Sequence, residues 1–451
     1  MVRTFQMYFC VLFLCLYAGY TKAADYRSAD VHTAIERESS IQQTEIFHLL
    51  NKDSISLDDI LQVAMLCNPE IAAAQNKIGA ATGRLRQAGL YPNPTIEFEA
   101  EDIPAGDVDF SRNQNTVAII QPIIIGKRRS AAISAAVAEQ ESLRFSLQNT
   151  IYEVLGDVRM AYVELTYYER AFILQGELLT VANKILELVQ VRFDARAATE
   201  PELISAQLNS TKLELNRRKM KLKQVSAAQH LQSLLPDVEV PVEKISTELS
   251  LNLPGIDLEH LLTAVRGRHP LVLAAKKSTE AAEHRLALAK AERIPDVSLR
   301  TAYGRNTAEG ENIIEFCISI PLPFFNRNQG RMTEMRHMAT WAHNDARTSV
   351  ARRESEIASA QTTYMASRDY AAVYQTKIVP AAERAFTQTM ERFRAGRGEL
   401  QDLIDAQEKL AGERLVLLEA TRDLNIAYAH LHKIVGPSMN DILKKDTKGD
   451  L

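Results

Sequence analysis

The sequence predicts a mainly helical protein with a small β part, built from two copies of one plan. Long stretches carry heptad spacing, which is typical of helices that pack lengthwise on one another. Four short stretches alternate between apolar and polar residues, which is typical of half-buried strands. The halves also match at a constant offset, since Arg192-Phe193 and Leu203-Ile204 return as Arg392-Phe393 and Leu403-Ile404. Each copy of this match lies between two helical patterns and is predicted to form the tip of a helical hairpin.

Composition excludes several functional classes. The 451 residues carry a net charge of only −4, whereas nucleic-acid-binding proteins usually show a basic stripe. Aromatic residues make up 6%, and Ala, Glu, Gln, Arg and Leu dominate, as in proteins with long helices. The sequence contains no Gly-x-Ser-x-Gly, His-Glu-x-x-His or phosphate-binding glycine-rich motif. We therefore predict that the protein is not an enzyme and needs no cofactor.

The first 23 residues are predicted to be a cleaved signal peptide. Arg3 precedes the apolar run from Met7 to Ala18, and Ala23 supplies a small residue at the end. The run is short for a membrane span. Residues 24–55 follow as a polar, loosely ordered N-terminal arm.

The first repeat spans residues 56–236. A helix starts at Ser56 and stops before Asn68-Pro69, because a residue before proline is disfavoured in helical conformation. A second helix runs from Glu70 to Leu90. A β-hairpin over 95–122 then pairs a strand at Thr95–Glu101 with one at Asn115–Gln121.

A long helix from Lys127 to Arg192 follows the hairpin. Its seam positions are spaced alternately four and three residues apart: Leu147, Ile151, Val154, Val158, Ala161, Leu165, Tyr168 and Phe172. At 1.5 Å per residue this helix would be roughly 100 Å long. The tip at 193–201 reverses the chain, and a returning helix runs from Glu202 to Leu235.

The second repeat spans 257–436 and follows an irregular connection at 237–256. It contains a helix at 271–293, a β-hairpin over 296–321, a long helix at 331–394 and a tip at 395–399. A returning helix at 399–435 completes it, and a charged tail covers 437–451. Helix lengths suggest end-to-end stacking of 202–235 on 271–293 and of 399–435 on 70–90, which gives four helical columns with the strands opposite the tips.

Four strands leave open sheet edges, and three copies would close them into a twelve-stranded β-barrel. Alternation assigns one face to lipid, with Ile96, Phe98, Val297, Leu299, Ile314, Phe316 and Ile318. It assigns the other face to a pore lumen, with Glu97, Glu99, Glu101 and Glu315. Such acids would concentrate cations. The alternative is a small solvent-exposed sheet with a wet acidic face.

The duplicated layout, the pattern from Leu61 to Pro69 and the Arg-Phe tips resemble the TolC family of outer-membrane efflux proteins. The segments Gln121–Arg129 and Pro321–Gly330 resemble its heavy-metal branch, which serves cobalt–zinc–cadmium (CzcC-like) exporters. The resemblance covers about 56–436. It implies a homotrimer with a periplasmic helical barrel, which docks to a periplasmic adaptor protein and an inner-membrane resistance-nodulation-division pump.

The resemblance also implies site residues. A periplasmic gate would be lined by Asp402, Asp405 and Glu202, although acids near a helix N-terminus are favourable without any gate. The adaptor-docking tips would comprise Arg192, Phe193, Ala195, Arg392, Phe393, Gly396 and Gly398. Arg196 stands where the second tip has Gly396, so the first tip departs from the pattern.

Other features leave alternatives open. Met332, Met335 and Met338 could bind copper, but methionines at helical spacing more often pack, and we predict no metal site. Cys67 and Cys317 remain after signal cleavage, and the sequence leaves their pairing open. The predicted function is a passive outer-membrane duct for heavy-metal cations. The alternatives are a duct for drugs or secreted proteins and an exported coiled-coil scaffold without a pore.

Overall fold

The computed structural model describes residues 43–101, 114–246, 248–306, 310–437 and 439. The predicted signal peptide, the arm before residue 43 and most of the C-terminal tail lie outside the described residues. So does the acidic loop that contains Asp102, Asp107 and Asp109. In the part of the chain that is described, no helix has both the length and the apolarity to cross a membrane.

The predicted fold class, mainly helical with a small β part, is confirmed. The first repeat contains helices α1 and α2, strands β1 and β2, the long helix α3 and the returning helix α4. Their bounds are Leu57–Cys67, Pro69–Ala88, Thr95–Glu101, Gln114–Ile123, Arg128–Asp194 and Glu200–Ser233. The predicted seam of α3 is largely buried, with Val154, Val158, Ala161 and Leu165 in one apolar cluster.

The second repeat has the same order, with α5, α6, β3, β4, α7, α8 and α9. Their bounds are Leu258–Arg268, Pro270–Ala291, Val297–Asn306, Glu311–Ser319, Gln329–Val373, Val379–Arg394 and Leu400–Val435. The prediction of one uninterrupted helix at 331–394 was wrong, because a π-helical turn at Tyr374–Ile378 separates α7 from α8. Pro380 lies in the first turn of α8, where it lacks the N–H that a regular helix would use.

The short helices stack end to end, but not in the predicted pairs. The side-chain amide of Asn68, at the start of α2, donates to the carbonyl of Leu234 at the end of α4, at 3.0 Å. The end of α9 reaches the start of α6 in the same way, because a Cβ on Gly436 would lie only 3.7 Å from His269 Nε2. Thus α4 continues into α2 and α9 into α6. Helix length could not decide this, since both pairings give similar totals.

Four helical columns lie side by side. Helix α3 packs against α2 and α4 and also against α6 and α9, while α7 packs against α6 and α9. The column order is therefore α2 with α4, then α3, then α6 with α9, then α7 with α8. The first and last columns form the two edges of the array.

The four strands form one antiparallel sheet in the order β1-β2-β3-β4, at the end of the array opposite the tips. The order of strands follows the order of columns, because β1 succeeds α2 and β4 precedes α7. Strand β2 continues through Pro122, which was predicted to end it. Pro122 is tolerated because pairing with β1 stops at Ile120, so this end of β2 pairs with β3 alone.

A belt, formed by residues 43–55 and the 237–256 connection, lies at the level at which the short helices meet. Residues 43–50 are helical, and Ile55 is fully buried and bridges to Ile245 in the 237–256 connection. The predicted loose arm is therefore ordered from residue 43 onward. Two tyrosines on the long helices hold this connection. The Tyr162 hydroxyl donates to the Ser246 carbonyl, and the Tyr364 hydroxyl donates to the Pro254 carbonyl. These contacts fix the belt to both repeats.

Candidate functional site: the acidic sheet face and the paired tips

The sheet has one acidic face and one apolar face. Register places Glu97, Glu99, Glu101 and Glu315 on the same side, as the alternation predicted. The apolar residues predicted to face lipid point the other way, and all but the half-buried Val297 are exposed, with Phe98 at 80% and Phe316 at 75%. A sheet face that exposes large apolar side chains is suited to contact with a membrane or with another apolar protein surface. Contact of the two faces with lipid and with a lumen stays a prediction.

Sequence reasoning missed Arg300, a cation in the middle of the acidic face. Its guanidinium lies 2.6 Å from a Glu99 carboxylate oxygen and 3.0 Å from one of Glu315, with Glu97 at 3.4 Å. Gln114 also donates to Glu315, at 3.2 Å. The alternation of β3 places Arg300 on this face, but its three partners belong to β1 and β4, so only the sheet register could identify them.

The two tips have the same backbone conformation. In the first, the N–H of Ala197 donates to Arg192 O at 2.7 Å and that of Arg196 to Phe193 O at 2.8 Å. In the second, Arg397 and Gly396 make the equivalent bonds to Arg392 and Phe393, both at 3.0 Å. This double bond pattern is the Schellman motif, which requires a left-handed residue. Arg196 adopts φ 60° where Gly396 has φ 70°, so the expected departure of the first tip concerns its side chain and not its backbone.

The tips pack on each other through Phe393. This side chain is 3% exposed and lies in a cluster with Ile185 and Val189 of α3 and Leu403 of α9. The Arg192 guanidinium stacks 4.9 Å from the Phe393 ring centre. Phe393 therefore joins the two hairpins and is not available to an adaptor, contrary to its predicted docking role.

The other predicted docking residues differ in exposure. Ala195, Arg392 and Gly396 are exposed, whereas Arg192 and Phe193 are half-buried. Gly398 is half-buried because the chain returns closely past the backbone of Phe393; a Cβ on Gly398 would lie 3.1 Å from the Phe393 nitrogen. The exposed part of the tips thus consists of the turns themselves together with Arg392.

Three carboxylates of the predicted gate lie just above the tips. Asp402 and Asp405 are exposed on one side of the first turns of α9, while Leu403 and Ile404 between them are buried. Asp405 accepts a hydrogen bond from the Gln401 amide at 2.7 Å. Glu202 differs, because its carboxylate accepts from the Thr199 backbone N–H at 2.6 Å and from the Thr199 hydroxyl. These bonds, led by the backbone one, lower the pKa of Glu202, which caps helix α4.

A buried polar bridge behind the tips was not predicted. The Asn209 amide on α4 donates to the Gln407 side-chain oxygen on α9 at 3.2 Å, and Gln407 donates to the Leu178 carbonyl on α3 at 3.3 Å. Asn209 is 6% exposed and Gln407 is 2% exposed. Gln407 repeats Gln207 at the offset of 200 residues that relates the two halves, but nothing in the sequence shows that it would be buried against Asn209.

In the described ranges, no cluster of three or more His, Cys, Asp or Glu residues is spaced to hold a metal ion. The three methionines lie along α7, with Met332 and Met335 half-buried and Met338 exposed. Cys67 and Cys317 are both free thiols. Cys67 is on α1 and Cys317 is exposed on β4.

Comparison with known proteins matches both repeats. The family described as Outer membrane efflux protein matches residues 60–236 and again 261–437. The cobalt-zinc-cadmium resistance protein CzcC of Cupriavidus metallidurans is 25% identical over 387 residues, which is 85% of this chain and 90% of that protein. The outer membrane efflux protein BepC of Brucella suis is 23% identical over 67% of each chain. The solved structure of CusC superposes with a TM-score of 0.71 at 15% identity, over 84% of this chain and 92% of that one.

Proposed function

Because the chain belongs to the outer membrane efflux protein family, the family of TolC, we propose that three copies form a passive, gated duct for heavy-metal cations. The observation that carries this proposal is the coincidence of two open edges. The sheet ends at β1 and β4, and the helical array ends at the columns that continue directly from those strands. One rotation that pairs β4 with the β1 of a second copy would therefore also bring α7 against that copy's α2.

Apolar side chains on the edge columns support such closure. Helix α4 exposes an apolar seam, which we call the α4 seam, at heptad-like spacing: Ile204 46%, Leu208 65%, Leu215 60%, Leu222 73% and Val225 46%. A heptad seam on a helix is a packing surface for another helix. The opposite edge exposes Tyr370 and Val373. Leu222 and Val373 both lie about 20 residues from their tips, or roughly 30 Å at 1.5 Å per residue.

Closed into a trimer, the sheet would present the exposed apolar face to lipid and the acidic face to a lumen. Twelve strands have no edge, which satisfies the requirement that backbone polar groups in a membrane are paired. The helical columns would continue the lumen into the periplasm. Residues 1–23 would direct export as a cleaved signal peptide.

The tips are the proposed entrance. Asp402 and Asp405 would form acidic rings in a trimer, with Glu202 adding negative charge beside them while it caps α4. Rings of carboxylates bind cations and repel anions. The exposed turns with Ala195, Arg392 and Gly396 would dock to a periplasmic adaptor, and an inner-membrane resistance-nodulation-division pump would supply the energy.

The cargo is proposed from chemistry and from similarity. Carboxylates at both ends of the helical array, on the sheet and beside the tips, suit cations, and the relative CzcC is named for cobalt, zinc and cadmium resistance. A strain that lacks this protein should lose tolerance to these metals and regain it when the gene is restored. If instead only tolerance to organic drugs falls, the duct stands and the metal cargo is wrong.

The duct and its gate are tested by single-channel conductance of the purified protein in a planar bilayer. We expect a cation-selective pore in which block by divalent cations weakens in Asp402→Ala/Asp405→Ala. The control Glu239→Gln/Glu243→Gln removes two exposed acids from the belt and should leave the block unchanged. A pore that the Asp402/Asp405 variant does not alter would place the gate elsewhere.

Failure to form any pore, by protein that remains in solution without detergent, would refute the duct and favour the coiled-coil scaffold. Assembly is tested separately with Leu222→Glu, which places a charge in the α4 seam. This variant should reduce the trimer fraction in detergent, whereas Lys184→Glu, at an exposed position of the central helix α3, should not. A trimer insensitive to Leu222→Glu would remove the α4 seam from the interface.

A further inference from the structure

Arg300 is more buried and has more ion-pair partners than a typical surface cation. Its side chain is 20% exposed and its three partners come from both outer strands of the sheet. Arg300 is the one cation among the described residues of this face, against five carboxylates: Glu97, Glu99, Glu101, Glu311 and Glu315. A single guanidinium with its fork of donors thus crosslinks three of the five.

Small residues beneath the guanidinium make room for this arrangement. Register places Ala118 and Ala302 in one row between Glu97 and Glu315. Both alanines are almost completely buried, at 0% and 2% exposed, although the surrounding face is open. Gly304 lies in the next row, where a Cβ would approach the Thr116 hydroxyl to 2.6 Å. The ion-paired side chains therefore lie flat on a floor of small residues and close over it.

We propose that Arg300 sets the cation permeability of the duct, by neutralising and spacing the lumenal carboxylates so that divalent cargo passes without being retained. This inference rests on the proposed function, because it requires the acidic face to line a lumen. Conduction needs binding sites that are weak enough to release the ion. Three carboxylates without their guanidinium would be a stronger trap for a divalent cation than for a monovalent one.

The expected effect follows from Coulomb's law. In water, one unit charge 4 Å away changes the local concentration of a monovalent cation roughly fivefold and that of a divalent cation about 25-fold. Removal of Arg300 should therefore increase selectivity for cations over anions and increase block by Cd²⁺. The effect should be large at 10 mM salt and small at 1 M, because the screening length falls from about 30 Å to about 3 Å.

The experiment measures reversal potentials and Cd²⁺ block in planar bilayers for Arg300→Gln, Arg300→Lys and the control Arg305→Gln. Arg305 lies on the same strand but on the apolar face, so its replacement removes the same charge from outside the proposed lumen. We expect at least a fivefold lower half-blocking Cd²⁺ concentration for Arg300→Gln, and values near wild type for the other two. A wild-type pore with Arg300→Gln equal to Arg305→Gln would overturn the inference and leave the duct intact.

Chemical modification of Cys317 offers a second test, because it alters the charge of protein that has already folded. It lies directly opposite Arg300 on the same face and its thiol is exposed and free. A thiol reagent that attaches a sulfonate should increase Cd²⁺ block in the wild-type pore, and one that attaches a trimethylammonium should reduce it, while Cys317→Ser responds to neither. Equal responses to both reagents would overturn the inference. A wild-type protein without any pore would instead contradict the proposed function.

Discussion

His269 should make the protein lose stability in mild acid, and its replacement by asparagine should remove much of that loss. The His269 ring is 1% exposed and acts as the cap of α6, with Nδ1 accepting from the Leu271 N–H at 3.1 Å. The opposite nitrogen faces the end of α9, where a Cβ on Gly436 would lie 3.7 Å from it. Protonation would place a hydrogen on Nδ1, break the cap and charge a buried ring.

Burial, and then the nearby Arg353 guanidinium, lower the pKa of His269 from 6.5 to about 4. The unfolded chain therefore binds this proton more readily than the folded one. The stabilising contribution is complete above pH 6.5 and is lost as the pH falls toward 4. At 1.36 kcal/mol per pKa unit, the full loss is about 3 kcal/mol for each chain.

The first repeat shows which residue can replace the histidine. Asn68 occupies the equivalent position, where its oxygen accepts from the Glu70 N–H at 2.9 Å and its amide donates to Leu234 O. Asparagine can therefore make the capping bond that His269 makes, without titrating. We expect His269→Asn to cost at most about 1 kcal/mol at pH 7.5, the usual scale for a cap substitution.

The assay is urea unfolding of detergent-solubilised protein at fixed concentration, followed by far-ultraviolet circular dichroism between pH 7.5 and 4.5. The wild type should lose more stability across this range than His269→Asn. His432 retains a share of the slope in both, because burial also lowers its pKa to about 4. The control His343→Asn changes an exposed histidine of α7 and should follow the wild type. Parallel curves for wild type and His269→Asn would refute this reasoning.

Three further predictions concern the tips, and the urea midpoint measures each. Arg196→Gly should stabilise by about 1 kcal/mol, because a side chain in the left-handed region carries a penalty of that size; an unchanged midpoint would contradict the strain. Gln407→Leu should destabilise by about 1–3 kcal/mol by leaving the buried Asn209 amide without its acceptor, and Asn209→Leu added to it should recover part of the loss. Phe393→Ala should cost about 3–5 kcal/mol, and clearly more than Phe193→Ala at the half-buried equivalent position.

Periodicity was sufficient to predict the element order, the two faces of the sheet and the position of the tips. Alternation from Thr95 to Glu101 has a period of two, and any in-register sheet must then separate Glu97 from Phe98. The stacking of the short helices was mispredicted because stacking has no period. It depends on single hydrogen bonds, such as that from Asn68 to Leu234, between residues 166 positions apart.

In the candidate site, too, local spacing predicted some features, and others depended on contacts between distant elements. Exposed acids such as Asp402 could be placed from helical spacing, because two residues three apart share a face. The partners of Arg300, the bridge between Asn209 and Gln407 and the burial of Phe393 all depend on contacts between elements from different repeats. Such contacts can be predicted only when the column order and the sheet register are known, and no local sequence pattern determines either of them.

The two repeats have the same backbone conformation at equivalent positions but use different side chains there. Asn68 and His269 cap equivalent helices, and Arg196 and Gly396 occupy the same left-handed position. A duplicated chain needs the same turns in both halves, because its columns must reach the same length, but it does not need the same charges. The edge columns differ more, with the α4 seam on one side and a π-helical turn before α8 on the other. Two edges that must fit each other, and not themselves, are what a closed ring of identical chains requires.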